Sequence, residues 1–92
     1  SSEKTERVMN KEKLIMENLA LIPVSNAEKK IIEKSVNDHE NKLAHKVVEH
    51  SYRYVLMIEA NVANTKRAER TLETLKKECQ NYIKEKDNGS EK

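Results

Sequence analysis

Residues 21–28 read Leu21-Ile22-Pro23-Val24-Ser25-Asn26-Ala27-Glu28, and this stretch separates two helical segments. Pro23 disfavours helix at the residue before it and has no amide hydrogen to donate, so a preceding helix ends at Ile22. Ser25 can accept from the amide of Glu28 while the Glu28 carboxylate accepts from the amide of Ser25, a capping box that begins a helix. Because the link is short, we expect the second helix to turn back against the first.

Upstream of this turn, apolar residues recur at helical spacing. Val8, Ile15 and Ile22 follow one another at intervals of seven residues. This pattern predicts a helix over residues 6–22 with one apolar face. The polar residues before it are expected to form a disordered tail.

Downstream of the turn, neither Gly nor Pro occurs between residues 27 and 86, and apolar residues keep helical spacing. Two places favour a break. Residues 37–40 resemble a second capping box with Asn37 as the cap, whereas the apolar register slips near residues 61–65 among weak helix formers. We favour the second break, because Asn64 and Thr65 also offer possible caps there.

The composition favours an all-helical chain. One Gly and one Pro among 92 residues are too few for a β-sandwich or for a glycine-rich phosphate loop. We predict an all-α fold, an antiparallel three-helix bundle with a long central helix; the alternative is a helical hairpin or long coiled coil completed by dimerisation. The predicted elements are a disordered tail over 1–5, helices over about 6–22, 26–62 and 65–86, and a disordered tail over 87–92.

Features of the sequence bear on membrane association and on the location of the protein in the cell. No aliphatic run exceeds four residues, as in Val55-Leu56-Met57-Ile58, which is far shorter than the ~18 residues of a membrane span. Cys79 is the only cysteine, so no internal disulfide is possible, and no secretory signal pattern is visible. We therefore expect no membrane span and an intracellular location, either cytoplasmic or nuclear.

The spacing of the histidines, acidic residues and cysteine does not indicate a catalytic or metal site. Of His39, His45 and His50, only His45 has a carboxylate, Glu49, at the spacing of two metal ligands on a helix. Acidic residues alternate with lysines, which is typical of solvated helix faces. Cys79 occupies a core-type position, which favours an inert thiol. We expect no catalytic residue, no metal, no cofactor and no small-molecule substrate.

Five consecutive apolar residues, Tyr54-Val55-Leu56-Met57-Ile58, point in every direction on a helix and must be covered from two sides. A structural core is the simpler explanation, whereas a groove anchored on Leu56 and the flexible Met57 is the functional one. We predict a non-catalytic protein–protein interaction or assembly module, an adaptor or a subunit of a larger complex. Its partner is another protein or a second copy of itself. The expected contact residues are Tyr54, Leu56, Met57, Leu72, Leu75 and Tyr82.

The alternative function is association with nucleic acid. The net charge is only +2, but residues 66–86 hold seven basic and four acidic side chains. Basic residues near one helix face could contact phosphates, which requires little else. Interleaved acidic residues weaken the positive field. No aromatic side chain lies among the basic residues of 66–77 to stack on bases, so we favour this alternative less. The expected phosphate contacts are Lys66, Arg67, Arg70 and Lys77.

Overall fold

The computed structural model describes the backbone of residues 2–90 and the side chains of residues 10–87. The described chain is helical and contains no strand, which confirms the all-α class. Residues 1, 91 and 92 of the two expected tails, and the side chain of Val8, lie outside the described parts. The elements are α1 (Ser2–Asn18), a 3-10 turn (Leu19–Leu21), α2 (Asn26–Val36), α3 (Lys42–Glu59) and α4 (Lys66–Ser90).

The capping box expected before α2 is present. The amide of Ser25 donates to Glu28 Oε1 at 3.0 Å, and the amide of Glu28 donates to Ser25 Oγ at 3.2 Å. Ahead of Pro23, the 3-10 turn closes through a bond from the Ile22 amide to the carbonyl of Leu19. This compact link places the first turn of α2 beside the 3-10 turn, where Lys29 Nζ donates to the carbonyl of Ala20 at 3.4 Å, but α2 packs mainly on α3 and not, as expected, on the first helix.

The long central helix expected over residues 26–62 is wrong, because the chain breaks at residues 37–41. Asn37 ends α2 rather than beginning a helix, and its amide donates to the carbonyl of Lys34 at 3.1 Å. The cap of α3 is instead Asn41, whose Oδ1 accepts from the amides of Leu43 at 2.8 Å and Ala44 at 3.1 Å. Four helices therefore replace the expected three, and neither a long central helix nor a long coiled coil is formed.

The loop between α2 and α3 contacts the other three helical segments. Tyr82 of α4 donates to the carboxylate of Asp38 at 2.7 Å. His39 Nδ1 pairs with Glu12 of α1 at 3.2 Å, and the ring of His45 in α3 contacts the backbone carbonyl of His39. These contacts add to two backbone turn bonds, from the amide of Asp38 to the carbonyl of Ser35 and from the amide of Asn41 to the carbonyl of Asp38.

Helix α3 lies at the centre and packs against α1, α2 and most extensively α4. Full burial of an aliphatic side chain contributes about 1.5–3 kcal/mol, so the shared core is the main stabilising element of the fold. The molecule is flat, with extents of 44 × 33 × 19 Å. The core residues are Ile15, Ile22, Ile32, Val36, Ala44, Val47, Tyr54, Val55, Ala68, Leu75, Cys79 and Tyr82.

Candidate functional site

A groove opens between the C-terminal half of α3 and the first turns of α4. The turn that joins the helices shapes it: Asn61 takes the left-handed conformation, with a φ of 60°, and the next amide, that of Val62, donates to the carbonyl of Met57 at 2.9 Å. Val62 is thereby folded back toward α3. The groove has a volume of about 420 Å³ and is lined by Arg53, Leu56, Met57, Ala60, Val62, Arg67 and Thr71.

Two exposed apolar side chains, Leu56 and Val62, line this groove, and we call them its floor. Leu56 and Val62 are each 41% exposed, and they are two of the four large apolar side chains that are exposed in the described part of the chain. Met57 is half-buried and packs against the core beneath them. A single exposed leucine needs no explanation, but adjacent exposed side chains in a concave site are typical of a binding surface.

Two basic side chains, Arg53 and Arg67, also line the groove, and we call them its rim. Arg53 lies on α3 and Arg67 on α4, and both are exposed. Arg53 is oriented by an ion pair with Glu49, 2.8 Å from guanidinium nitrogen to carboxylate oxygen, in which both side chains are at least half exposed. Such a surface pair contributes little to stability, so Arg53 can exchange Glu49 for another carboxylate at small cost.

The structure separates the six expected contact residues into three groups. Leu56 and Met57 line the groove. Tyr54, Leu75 and Tyr82 lie in the core, no more than 6% exposed, because α4 packs on α3 through them. They are unavailable to a partner, and assigning them to a binding surface was wrong. Leu72 is half-buried against the core.

The sequence did not indicate four of the lining residues. Ala60 and Val62 follow the end of α3, and a helical periodicity that ran on through residue 62 placed them on the wrong element. Arg53 and Thr71 belong to polar faces that look like ordinary solvated surface in the sequence. The only signal in the sequence was Asn61 itself, because asparagine tolerates the left-handed region, where the structure places it with a φ of 60°.

The four expected phosphate contacts are all exposed on α4. Only Arg67 lines the groove; Lys66, Arg70 and Lys77 are not among the groove residues. The exposed carboxylates of Glu69 and Glu73 lie between them along the helix. The surface of α4 therefore carries mixed charge outside the groove.

A second, more polar cavity of about 240 Å³ lies where α1, α3 and the α2–α3 loop meet. Two carboxylates and two imidazoles line it, but among the described residues no three potential ligands converge well enough to hold a metal ion. The cavity is lined by Lys11, Glu12, Ser35, His39, His45, Val48 and Glu49.

Cys79 is fully buried in the core. Burial raises the pKa of its thiol to about 12, and the negative charges of Glu28 and Glu78 add to the shift. The thiol therefore stays protonated at neutral pH and is a poor nucleophile.

Within residues 2–90, none of the helices combines the length and apolar character that a bilayer crossing demands. Comparison of the chain with protein-family models, curated proteins and solved structures gives no match, so the groove between α3 and α4 is judged on its own geometry.

Proposed function

We propose that this chain is a non-catalytic protein–protein interaction module whose groove between α3 and α4 binds an amphipathic helical segment of another protein. One observation carries the proposal: exposed Leu56 and Val62 line the same groove as the basic side chains of Arg53 and Arg67. An apolar groove of this kind accepts the apolar face of a helix, with anchors at i and i+3 or i+4.

The charge of the rim specifies the flanks of that helix. Guanidinium groups pair with carboxylates in bidentate geometry, so Arg53 and Arg67 favour a segment with Asp or Glu beside its apolar anchors. A second copy of the chain fits less well, because a two-fold contact at this groove brings the arginines of both copies together. We therefore favour a different, acidic partner.

The size of the groove predicts a transient contact. Its exposed apolar floor consists of two side chains, and two arginines at a solvated rim add mainly orientation and association rate. We expect a dissociation constant on the order of 10 μM, which is typical of short segments that fold on binding.

The test uses a synthetic peptide of about 15 residues with leucines at i and i+4 and glutamates beside them. Fluorescence anisotropy measures its binding to the full chain and to two variants, Leu56→Ser and the control Leu21→Ser. Leu21 is 62% exposed in the 3-10 turn and is not a groove residue, so the control removes a leucine that is even more accessible but lies elsewhere. We expect Leu56→Ser to weaken binding about tenfold and Leu21→Ser to leave it unchanged.

Three further measurements complete this test. Circular dichroism checks that both variants keep their helicity, and a peptide with lysines in place of the glutamates tests the charge of the rim. Equal effects of the two leucine variants, or equal binding of the two peptides, would contradict the proposal. Light scattering shows whether the chain associates with itself instead.

Association with nucleic acid is the second candidate, favoured by the exposure of Lys66, Arg67, Arg70 and Lys77 on one helix. Titration with a DNA duplex at low and moderate salt separates the two functions. We expect weak binding that disappears above about 50 mM salt. Arg70→Glu with Lys77→Glu, both outside the groove, should abolish this binding and leave peptide binding intact.

A further inference from the structure

We propose that Thr71 is a phosphorylation site, and that a phosphoryl group on it closes the groove to an acidic partner. The inference rests on the function proposed above. Thr71 lines the groove together with Arg53 and Arg67, and its side chain is partly exposed. Its hydroxyl donates only to the carbonyl of Arg67, one turn back on α4, at 3.0 Å. Modification there removes no contact that the core depends on.

The helical surroundings of Thr71 suit an anion. Side chains three and four residues apart are neighbours on a helix. At these positions around Thr71 stand Arg67, Ala68, Thr74 and Leu75, and none of them is acidic. Arg70 precedes Thr71 directly, and Arg53 of α3 lines the same groove. A phosphate at this point meets positive charge on its own helix and on the neighbouring one.

The modifying enzyme is inferred by class. A serine/threonine kinase with an acidic substrate cleft would recognise the arginines four residues and one residue before Thr71. The threonine oxygen then bonds to the γ-phosphorus of ATP while the bond to the β,γ-bridging oxygen breaks. ADP leaves with the electron pair, and the hydroxyl proton passes to the carboxylate base of the kinase. Thr71 lies in the second turn of α4, where local opening of the helix end gives access.

The phosphate would act on the groove in two ways. It adds a charge of about −1.5 to −2 at neutral pH and offers three strong acceptor oxygens. Those oxygens pair with the guanidinium groups of Arg67 and Arg53, which withdraws both from a carboxylate on the partner. The surplus negative charge then repels the acidic flank of the partner helix.

Thr74 provides a matched control on the same helix. Its hydroxyl donates to the carbonyl of Arg70 at 3.0 Å, so it repeats the local geometry of Thr71 with an arginine four residues before it. Thr74 is not a groove residue, and Glu78 lies four residues after it. A phosphate there meets a carboxylate and lies away from the rim.

The first experiment treats the full chain with ATP and a basophilic serine/threonine kinase, and maps the phosphate by tandem mass spectrometry. We expect modification at Thr71, lost in Thr71→Val and kept in Thr74→Val. Phosphorus NMR then follows the second ionisation of the phosphothreonine in the chain and in Arg67→Ala. It should titrate at lower pH when Arg67 is present. Preferred modification of Thr74, no modification, or a titration indifferent to Arg67 would overturn the inference.

The second experiment measures the glutamate-flanked peptide against Thr71→Glu and Thr74→Glu. We expect about a tenfold loss of affinity for Thr71→Glu and less than twofold for Thr74→Glu. Equal losses would contradict closure of the groove. If the unmodified chain does not bind the peptide, the proposed function fails, whereas mapping and phosphorus NMR still decide whether Thr71 is modified and pairs with Arg67.

Discussion

The hydroxyl of Tyr82 donates to Asp38 Oδ2 at 2.7 Å, and this bond joins residues 44 positions apart. The same oxygen of Asp38 accepts from Lys86 Nζ at 3.1 Å. The hydrogen bond from Tyr82 lowers the pKa of Asp38, and the hydrogen bond and charge of Lys86 act in the same direction. The loop that ends α2 is therefore held to α4 by an ionised carboxylate.

Acid should weaken this attachment. Because the pKa of Asp38 is lower in the folded chain than its unfolded value of about 4, its contribution to stability is complete above that pH. The contribution is lost as pH falls through the lowered folded pKa. We expect Asp38→Asn to flatten the acid side of a plot of unfolding free energy against pH, measured by urea denaturation. Glu40→Gln, an exposed neighbour in the loop, should leave the plot unchanged.

Alkali should act on the other partner. Burial raises the pKa of the Tyr82 hydroxyl to about 12, and the hydrogen bond and negative charge of Asp38 add to the shift. A tyrosine whose folded pKa lies above its unfolded value of about 10 contributes stability that is complete below pH 10 and lost as pH rises through 12. Tyr82→Phe should remove this alkaline dependence, which ultraviolet absorbance of tyrosinate and circular dichroism follow together. An alkaline transition identical in both proteins would contradict the assignment.

Substitution of two leucines should distinguish a core residue from a groove residue. Leu75 is fully buried and Leu56 is 41% exposed, although the sequence indicated the same role for both. We expect Leu75→Ala to lower the free energy of unfolding by about 2–5 kcal/mol and Leu56→Ala by less than about 1 kcal/mol. Urea denaturation monitored by circular dichroism measures both. Similar losses would mean that Leu56 belongs to the core.

The break between α2 and α3 should depend on Asn41. Its Oδ1 satisfies two backbone amides at the start of α3, so Asn41→Ala should cost about 1 kcal/mol of stability. Asn37→Ala is the control, because Asn37 lies at the C-terminal end of α2 and its side chain bonds only to the exposed carbonyl of Glu33. A larger effect at Asn37 would indicate that the helix boundary is misplaced. Thermal unfolding compares the two variants.

Local chemistry accounts for much of the fold. The capping box at Ser25 depends on residues that are close together in the chain, and the scarcity of Gly and Pro is a property of the composition. The sequence alone therefore predicts the all-helical class and the first turn. The break at residues 37–41 depends on Asp38 and His39 reaching α4 and α1. Such long-range contacts leave no periodic signal, and a helix through residue 62 remained the simplest interpretation.

The candidate site was only partly predictable for a related reason. Periodicity identifies apolar faces but does not say whether a face meets the same chain or a partner. Leu56 and Leu75 both belong to such faces, and only the packing of α4 on α3 separates their roles. Val62 entered the groove through a turn at Asn61 that no helical pattern describes.

The α2–α3 loop also determines how much of the chain is needed for folding. Its donor, Tyr82, lies late in α4, and Ile15 of α1 lies in the same core as Tyr82. A fragment that stops before Tyr82 loses both the bond to Asp38 and a large buried side chain. We therefore expect that the first three helices do not fold independently, and that a nascent chain completes its fold only after most of α4 has been synthesised.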